Sequence, residues 1–327
     1  MGHGNDKAKV RSAESRWSCR RLVVYTLLMC LLLAPAIAWA QGDGPRSQQP
    51  MPVGTGGLVP TWLNMSMNSD FSQSILLVDA DADADIFLGI YIRSFAVGDR
   101  SGQIWVVPNG GKLNATASVD LPDGTSVTRS ISESGMGDLY VAGRIGLVGA
   151  PALEMAEFIK HKPTFQLYAY GGLYVPTGHY DSDNLLNLGT NRWALRVGLP
   201  MIIPLGDPKH QASLEIHPGV SFYGDNNDPT GGASVKEQDP LLQVEFHVTR
   251  NFTPKLWGSI GGRYRNGGET TTDGIADQNK QDVLGGEISL GYTVNPHVSL
   301  QGTYGSVVTE SDGSKSDLIR LRLAYAF

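Results

Sequence analysis

The chain ends in Ser316–Phe327, which reads SDLIRLRLAYAF, and this stretch decides the fold. Every second residue from Ile319 onwards is apolar or aromatic, and Arg320 and Arg322 stand between these residues. Successive side chains of a β-strand point to opposite faces, so this alternation predicts a strand with one apolar and one charged face.

The same alternation recurs upstream. It is found in residues 85–95, 139–147, 165–175, 192–205, 214–223, 242–249, 256–265, 284–294 and 298–304. Tight turns alternate with long polar loops between these runs, which is typical of transmembrane β-strands. The pattern predicts an all-β fold, a transmembrane antiparallel β-barrel of about 12 strands of the Gram-negative outer-membrane type. A soluble β-sandwich, whose strands also alternate, is the alternative.

The barrel is predicted to occupy residues 71–327. The alternation of apolar and polar residues is weaker at its start. A first strand is expected within residues 63–77, which makes the strand number even, as in single-chain bacterial barrels. Segment 41–70 is expected to be either a plug or this first strand. Residues 78–85, VDADADAD, are expected to form an external acidic loop, and residues 121–136 a second external loop.

Residues 1–40 have the features of a secretory signal. Four arginines precede the apolar run 22–40, which ends in Ala38-Trp39-Ala40, a small-x-small cleavage pattern. Both cysteines, Cys19 and Cys30, lie in this leader, so the exported chain has neither a disulfide nor a thiol nucleophile. The leader carries a net charge of +4 and the whole chain −6, which leaves about −10 for the remainder. An acidic chain disfavours a nucleic-acid partner.

The parity of the strands predicts what lines the lumen. Ile86, Leu88, Ile90 and Ile92 are assigned to the lipid face, and Arg93 to the lumen together with Arg144. The further candidates for the solute path are Arg192, Arg196, Arg263, Arg265, Arg320, Arg322, Glu215, Glu245, Glu287, Tyr168, Tyr170, Tyr174 and Trp257.

Neighbouring strands are expected to pair these charges across the barrel. Glu215 is expected to pair with Arg192 and Arg196, and Glu245 and Glu287 with Arg263 and Arg265. Arg320 and Arg322 have no acidic residue on the preceding strand, so they are expected either to guide anions or to have a structural role. The aromatic side chains, with Tyr223, favour either ordinary lumen packing or a ladder for ring-shaped solutes.

Signals for chemistry are weak. His217 and His247 share the inward parity with Ser213 and Ser221 nearby, but no nucleophile motif surrounds these serines. The aspartates at 79–85 lack the glycine and the terminal glutamate of an EF-hand calcium loop. No catalytic residue, metal site or cofactor is therefore predicted, and the protein is not expected to be an enzyme.

Several stretches resemble the outer-membrane family named for the meta-pathway of phenol degradation. They are GDLYVAGRIGL (137–147), GLYVPTGHYD (172–181), LNLGTNRWALRVGLPMIIPLG (186–206), PGVSFYGDNNDPTGG (218–232) and EQDPLLQVEFHVTRNFTPKLWGSIGGRYR (237–265). The final strand, with Tyr325 two residues before a terminal Phe327, resembles the closing strand of Gram-negative outer-membrane barrels.

The resemblance implies passage of small aromatic or hydrophobic compounds across the outer membrane of a Gram-negative bacterium, and the lumen arginines extend this expectation to anionic compounds. It also implies three partners: outer-membrane lipid with lipopolysaccharide, a small-molecule solute, and the barrel-assembly machinery that reads the strand ending at Phe327. A structural or surface-interaction barrel with a closed lumen is the alternative function. A barrel lipid hydrolase that uses His217 or His247 is a weaker one.

Overall fold

The computed structural model describes residues 42–70, 78–120, 126–206, 211–309 and 315–327. Its strands, in chain order, are β1 Gly56–Asp70, β2 Val78–Val97, β3 Arg100–Val107, β4 Asn109–Asp120, β5 Ser126–Met136, β6 Leu139–Val148, β7 Gln166–Val175, β8 Ala194–Gly198, β9 Met201–Leu205, β10 Ala212–Tyr223, β11 Lys236–Gln238, β12 Leu241–Asn251, β13 Leu256–Gly267, β14 Thr270–Thr272, β15 Ile275–Ala276, β16 Gln281–Thr293, β17 Val298–Thr309 and β18 Lys315–Ala326. One short helix, α1 Met155–Phe158, lies between β6 and β7.

The strands close into an antiparallel barrel. The C-terminal strand β18 pairs with both β17 and β1, and β1 pairs with β2. At the seam, the Phe327 and Gly56 backbones exchange hydrogen bonds of 3.0 and 2.8 Å. Three spanning strands are interrupted once each, so β3–β4, β5–β6 and β8–β9 count as single strands and the barrel has 12. Closure removes the unpaired edges that cannot exist in lipid, and the predicted outer-membrane barrel is confirmed.

The outer face is apolar and ends in aromatic side chains at two heights. On β18, Ile319, Leu321 and Leu323 are exposed, while Arg320 between them is buried. Near the long-loop end, the Tyr304 hydroxyl donates to Asp317 at 2.8 Å and the Tyr264 hydroxyl donates to Asp282 at 2.9 Å. Aromatic rings with a polar end directed towards water are typical of a membrane interface, so these pairs indicate the outer bilayer boundary.

The first strand begins at Gly56, earlier than the expected range 63–77. Pro60 obscured it, because proline within an alternating run usually argues against a strand. In the structure, β1 forms its pairs with β18 on either side of Val59 and Pro60.

The acidic run is part of strand β2, so the prediction of an acidic loop at residues 78–85 was wrong. Strand β2 has 20 residues, about twice the number needed to cross a bilayer. Its outer half extends beyond the bilayer, where Asp81 and Asp83 face water and Ala84 is buried on the inner face. Similarly, β5 occupies much of the expected external loop 121–136, and β4 and β5 extend this outer sheet.

The faces of β2 are the reverse of the prediction. Ile86 is buried and Leu88, Ile90 and Ile92 line the interior, whereas Phe87 and Arg93 are exposed on the outer face. The prediction failed because both faces of this strand are apolar. Hydrophobicity alone therefore could not distinguish the residues that face lipid from those that face the lumen. Arg93 is therefore not a lumen residue. It lies opposite Gly56, next to the barrel seam at the turn end, where its charge can reach the membrane surface.

The predicted signal 1–40 lies outside the described residues, as do residues 71–77 of the range expected for the first strand and residues 121–125 of the second expected external loop. The long connection 150–163 contains the helical turn α1. Within the described ranges, no helix has the length and apolar character needed to cross a membrane.

The reversed faces of β2 can be tested with single cysteines, since the exported chain has none of its own. A charged, water-soluble thiol reagent should modify Ile90→Cys in lipid vesicles at least about tenfold faster than Tyr91→Cys, because a thiol in lipid rarely ionises. Modification rates followed by mass spectrometry provide the measurement. Faster modification of Tyr91→Cys would contradict this orientation.

Candidate functional site

The segment before the first strand, residues 42–55, lies inside the barrel. It contacts Arg320 and Arg322 on β18, Glu245 on β12 and Glu215 on β10. Strands β18 and β10 lie on opposite sides of the ring. The segment, called here the N-terminal segment, therefore crosses the lumen.

Two lumen glutamates accept hydrogen bonds from the backbone of this segment. Glu245 accepts the amides of Asp43 at 2.8 Å and Gly44 at 2.5 Å. Glu215 accepts the Arg46 amide at 2.8 Å and the Gln49 side chain at 2.7 Å. Hydrogen bonds to an ionised acceptor are stronger than neutral ones, so these two carboxylates anchor the segment to one wall.

Three lumen arginines bind its carbonyl oxygens. Arg320 Nη1 donates to Gly42 at 2.8 Å, and Arg322 Nη2 donates to Asp43 at 2.6 Å. Arg144, on the far side, donates to the carbonyls of Gln48 and Gln49. Both guanidinium groups hold the segment, and a role of Arg320 and Arg322 in guiding anions stays a prediction.

Arg320 also has an acidic partner that the sequence reading missed. Its Nη2 lies 3.1 Å from both carboxylate oxygens of Glu287, which is two strands away, and the arginine is only 1% exposed. The intervening strand is β17, on which Gly305 lies opposite Glu287 and Thr303 lies opposite Arg320. The ion pair therefore reaches diagonally across a strand.

The side chains of the segment complete the network. The Asp43 carboxylate lies 3.1 Å from Arg196 Nη1 and 3.1 Å from His217 Nδ1. Burial raises the pKa of Asp43, but Arg196 and His217 lower it more, so its pKa lies well below the usual 3.8. The Asp43 carboxylate is therefore ionised at every pH above the usual pKa of an aspartate. Its ion pair with Arg196 weakens only in strong acid.

Arg196 thus pairs with Asp43 and not with Glu215 as predicted. The reason is the register, which places Glu215 opposite Ile202 on β9 and Ser221 opposite Arg196. Arg263 does face Glu245 across β12 and β13, as expected, and Arg265 lies one pair further out, opposite Gln243. Arg192 donates to Gln238 and lies over the ring of Tyr223 at 5.1 Å.

The predicted lumen aromatics face inwards, and Tyr170 and Tyr174 belong to one cluster, because Tyr140 hydrogen-bonds to Tyr170 and stacks on Tyr174. Tyr170 lies beside Trp105, with ring centroids 6.1 Å apart. Tyr140 and Tyr174 stack at 4.2 Å. Tyr168 is fully buried beneath Arg144, at 3.8 Å, and Trp257 lies beneath Arg46, at 4.3 Å.

An apolar wall completes the lumen on the side of β1, β2 and β4. Leu63 and Met65 pack there with Ala84, Ile86 and Leu113. Met65, Ala84, Ile86 and Leu113 line a cavity of about 1140 Å³, which Tyr174, Arg196 and Arg263 line on the opposite side. The cavity is therefore two-faced, with one wall of aliphatic groups and one of arginine and tyrosine.

The long loop 176–193 covers the outer end of this cavity. Leu186, 4% exposed, packs with Leu185 and Leu188 against the apolar wall. Asp138 holds both ends of the loop. Its Oδ1 accepts the Gly178 amide at 2.9 Å, and its Oδ2 accepts the amide and hydroxyl of Thr190 at 2.9 and 2.6 Å.

The geometry gives little support to catalysis. Ser213 bonds Thr249 and Glu215, and Ser221 accepts from Gln243. His217 faces Asp43 and His247 faces Glu245, so within the described ranges neither serine hydrogen-bonds to a histidine. No three His, Cys, Asp or Glu side chains of the described residues form a metal-binding group.

Asp43, Gly44, Arg46 and Leu186 are site residues that sequence reasoning missed. None stands in an alternating run, and for residues 41–70 the sequence offered only a plug or a first strand. The φ of Gly44 is +78°, a conformation that favours glycine. A Cβ there would lie 2.3 Å from Arg320 Nη2, so any other residue would have to displace that guanidinium group.

Asp138→Asn should loosen the outer loop. A hydrogen bond to a charged group contributes about 1.5–3 kcal/mol, so loss of the charge should raise loop opening at least about tenfold. Chymotrypsin cleavage near Tyr180 and Leu185 in intact outer-membrane vesicles should accelerate accordingly. Asp225→Asn, at an exposed position of the neighbouring loop, is the matched control, and equal cleavage in the two variants would count against the clamp.

The comparisons with known proteins agree with the fold. An outer membrane channel from Pseudomonas putida F1 has a similar structure at 20% identity, with a TM-score of 0.70 over 87% of this chain and 99% of that one. The transport unit of the autotransporter AIDA-I from Escherichia coli matches at 11% identity, with a TM-score of 0.52 over 93% and 97%. No curated protein matches the chain significantly.

The family profile described as "Putative MetA-pathway of phenol degradation" matches residues 67–323. This match includes every spanning strand except the first part of β1 and the last residues of β18. The chain therefore belongs to this family of Gram-negative outer-membrane β-barrels.

Proposed function

We propose that the protein is an outer-membrane channel for small aromatic or hydrophobic compounds, closed at rest by its N-terminal segment. The observation that carries the proposal is the two-faced cavity, which runs from the outer loop to the segment. A purely structural barrel of 12 strands has no need of an aliphatic wall inside its lumen, since a water-filled interior favours polar groups.

The solute class follows from the two walls. Ile86, Leu88 and Ile90 offer an aliphatic surface without charge, which favours apolar rings over sugars or peptides. Tyr174 and Arg196 on the other side offer hydroxyl, π and cationic groups that orient a polar substituent. The family description, which names phenol degradation, agrees with a phenol-sized solute.

The N-terminal segment is the proposed gate. Its contacts are hydrogen bonds and ion pairs to groups on both sides of the ring, and all of them come from one short stretch of chain. Release of that stretch would clear the lumen without breaking any interstrand pair. The passage of a solute is then controlled by how often the segment leaves its site.

Gly44→Ala tests the gate with a single methyl group. The added Cβ overlaps Arg320, and overpacking of this kind costs about 1–3 kcal/mol, enough to raise the released population about tenfold. Single-channel recording of the refolded mature protein in a planar bilayer should show a higher open probability, with current that phenol reduces. The control is Gly54→Ala, which has nearly the same φ, +79°, but no atom within 4 Å of the added Cβ.

Equal open probability in the two variants would contradict the proposal that the segment is the gate. A steady current that phenol leaves unchanged would instead contradict the proposed specificity for aromatic solutes. Silence in every variant would favour the alternative reading, a structural barrel with a closed lumen.

A further inference from the structure

The Asp43 carboxylate occupies a cationic pocket in the barrel wall. Arg196 and His217 approach different oxygens of this carboxylate, both at 3.1 Å. The two wall side chains are almost fully buried, at 7% and 6% exposure. Two donors on two oxygens constitute the usual way in which proteins bind a carboxylate.

This contact differs in kind from the others that hold the N-terminal segment. Glu245, Glu215, Arg320 and Arg322 bind the segment largely through its backbone, which only a peptide can supply. Asp43 is the only acidic side chain between residues 42 and 55, and it contributes a carboxylate. A small molecule can supply the same group.

Aromatic rings surround the same pocket. The Tyr170 ring meets His217 edge-on at 4.9 Å, and the Arg196 guanidinium lies 5.4 Å from the centre of that ring. Trp105, Tyr140 and Tyr174 line the adjoining cavity. A carboxylate placed between Arg196 and His217 would therefore direct an attached ring into an aromatic and aliphatic space.

We propose that Arg196 and His217 form a binding site for the carboxylate of small aromatic acids, and that Asp43 is an internal competitor for this site. The inference rests on the proposed channel function and adds a solute class to it. Exchange of one carboxylate for another keeps Arg196 and His217 paired with a carboxylate when Asp43 leaves, so these two buried side chains are not left without a partner. By linkage, whatever weakens the docking of Asp43 strengthens binding of the acid by the same factor.

The test uses 4-fluorobenzoate and 4-fluorobenzamide, which share a shape and differ in charge. Their dissociation constants for the mature protein in lipid nanodiscs are measured by ¹⁹F NMR titration. Asp43→Asn should bind 4-fluorobenzoate about tenfold more tightly than the unchanged protein, because a charge-assisted competitor is lost. The amide should show no such gain, and Arg196→Gln added to Asp43→Asn should abolish the gain for the acid.

Asp99→Asn is the matched control, since Asp99 is an exposed aspartate in a turn, 91% accessible to water. Unchanged 4-fluorobenzoate affinity in Asp43→Asn would overturn the inference, and so would an equal gain for the amide, which would indicate space and not charge recognition. These binding results are independent of conductance, so the channel proposal can stand or fall separately.

A second measurement needs no variant. Arg46 is the only basic residue between residues 42 and 55, so trypsin cleavage after it reports release of the segment. 4-Fluorobenzoate should accelerate this cleavage in the unchanged protein and 4-fluorobenzamide should not. Identical cleavage rates with the two compounds would contradict competition at the Asp43 site.

Discussion

Charged groups inside a narrow barrel must be paired, and in this protein the N-terminal segment supplies many of the partners. Glu245 and Glu215 accept its amides, while Arg144, Arg320 and Arg322 donate to its carbonyls. An unpaired buried charge costs several kcal/mol, so the wall and the segment stabilise each other. The same dependence supports the proposed gating, because departure of the segment has to be compensated by water or by a solute.

The lumen has two chemical halves, and their separation follows the chain. The strands β1, β2 and β4 contribute aliphatic side chains, whereas strands β6 to β18 contribute nearly all the inward arginines and glutamates. The leucines of loop 176–193 rest on the aliphatic half at the outer end. A solute with an apolar ring and a polar substituent matches both halves at once. A fully polar solute matches only one.

Alternation in the sequence predicted much of the barrel, because lipid on one side and water on the other impose opposite demands on neighbouring residues. This logic was sound from β6 to β18, where Arg320 and its neighbours alternate clearly. It failed on β2, because Ile86 and Ile90 present aliphatic side chains to the lumen while the other face of the strand is apolar as well. The pairing of Arg320 with Glu287 could not be predicted either, since it reaches across the intervening strand β17.

The contacts of the N-terminal segment could not be predicted from the sequence alone either. Asp43 and Gly44 meet residues of β8, β12 and β18 that are 150 or more positions away, and a short irregular stretch has no periodicity that could identify these partners. The sequence allowed a plug or a first strand for residues 41–70, and the structure contains a strand from Gly56 and a lumen segment before it.

The most direct test of the account is the mobility of the segment in lipid. A nitroxide label on Ser47→Cys, in a mature chain without other cysteines, reports by electron paramagnetic resonance whether residues 42–55 are held in the lumen. If the lumen charges hold the segment, the spectrum in nanodiscs should be broad and immobilised. It should gain a mobile component when 4-fluorobenzoate is added. A sharp spectrum of a freely moving chain without any solute would contradict the central claim that the lumen charges hold the segment.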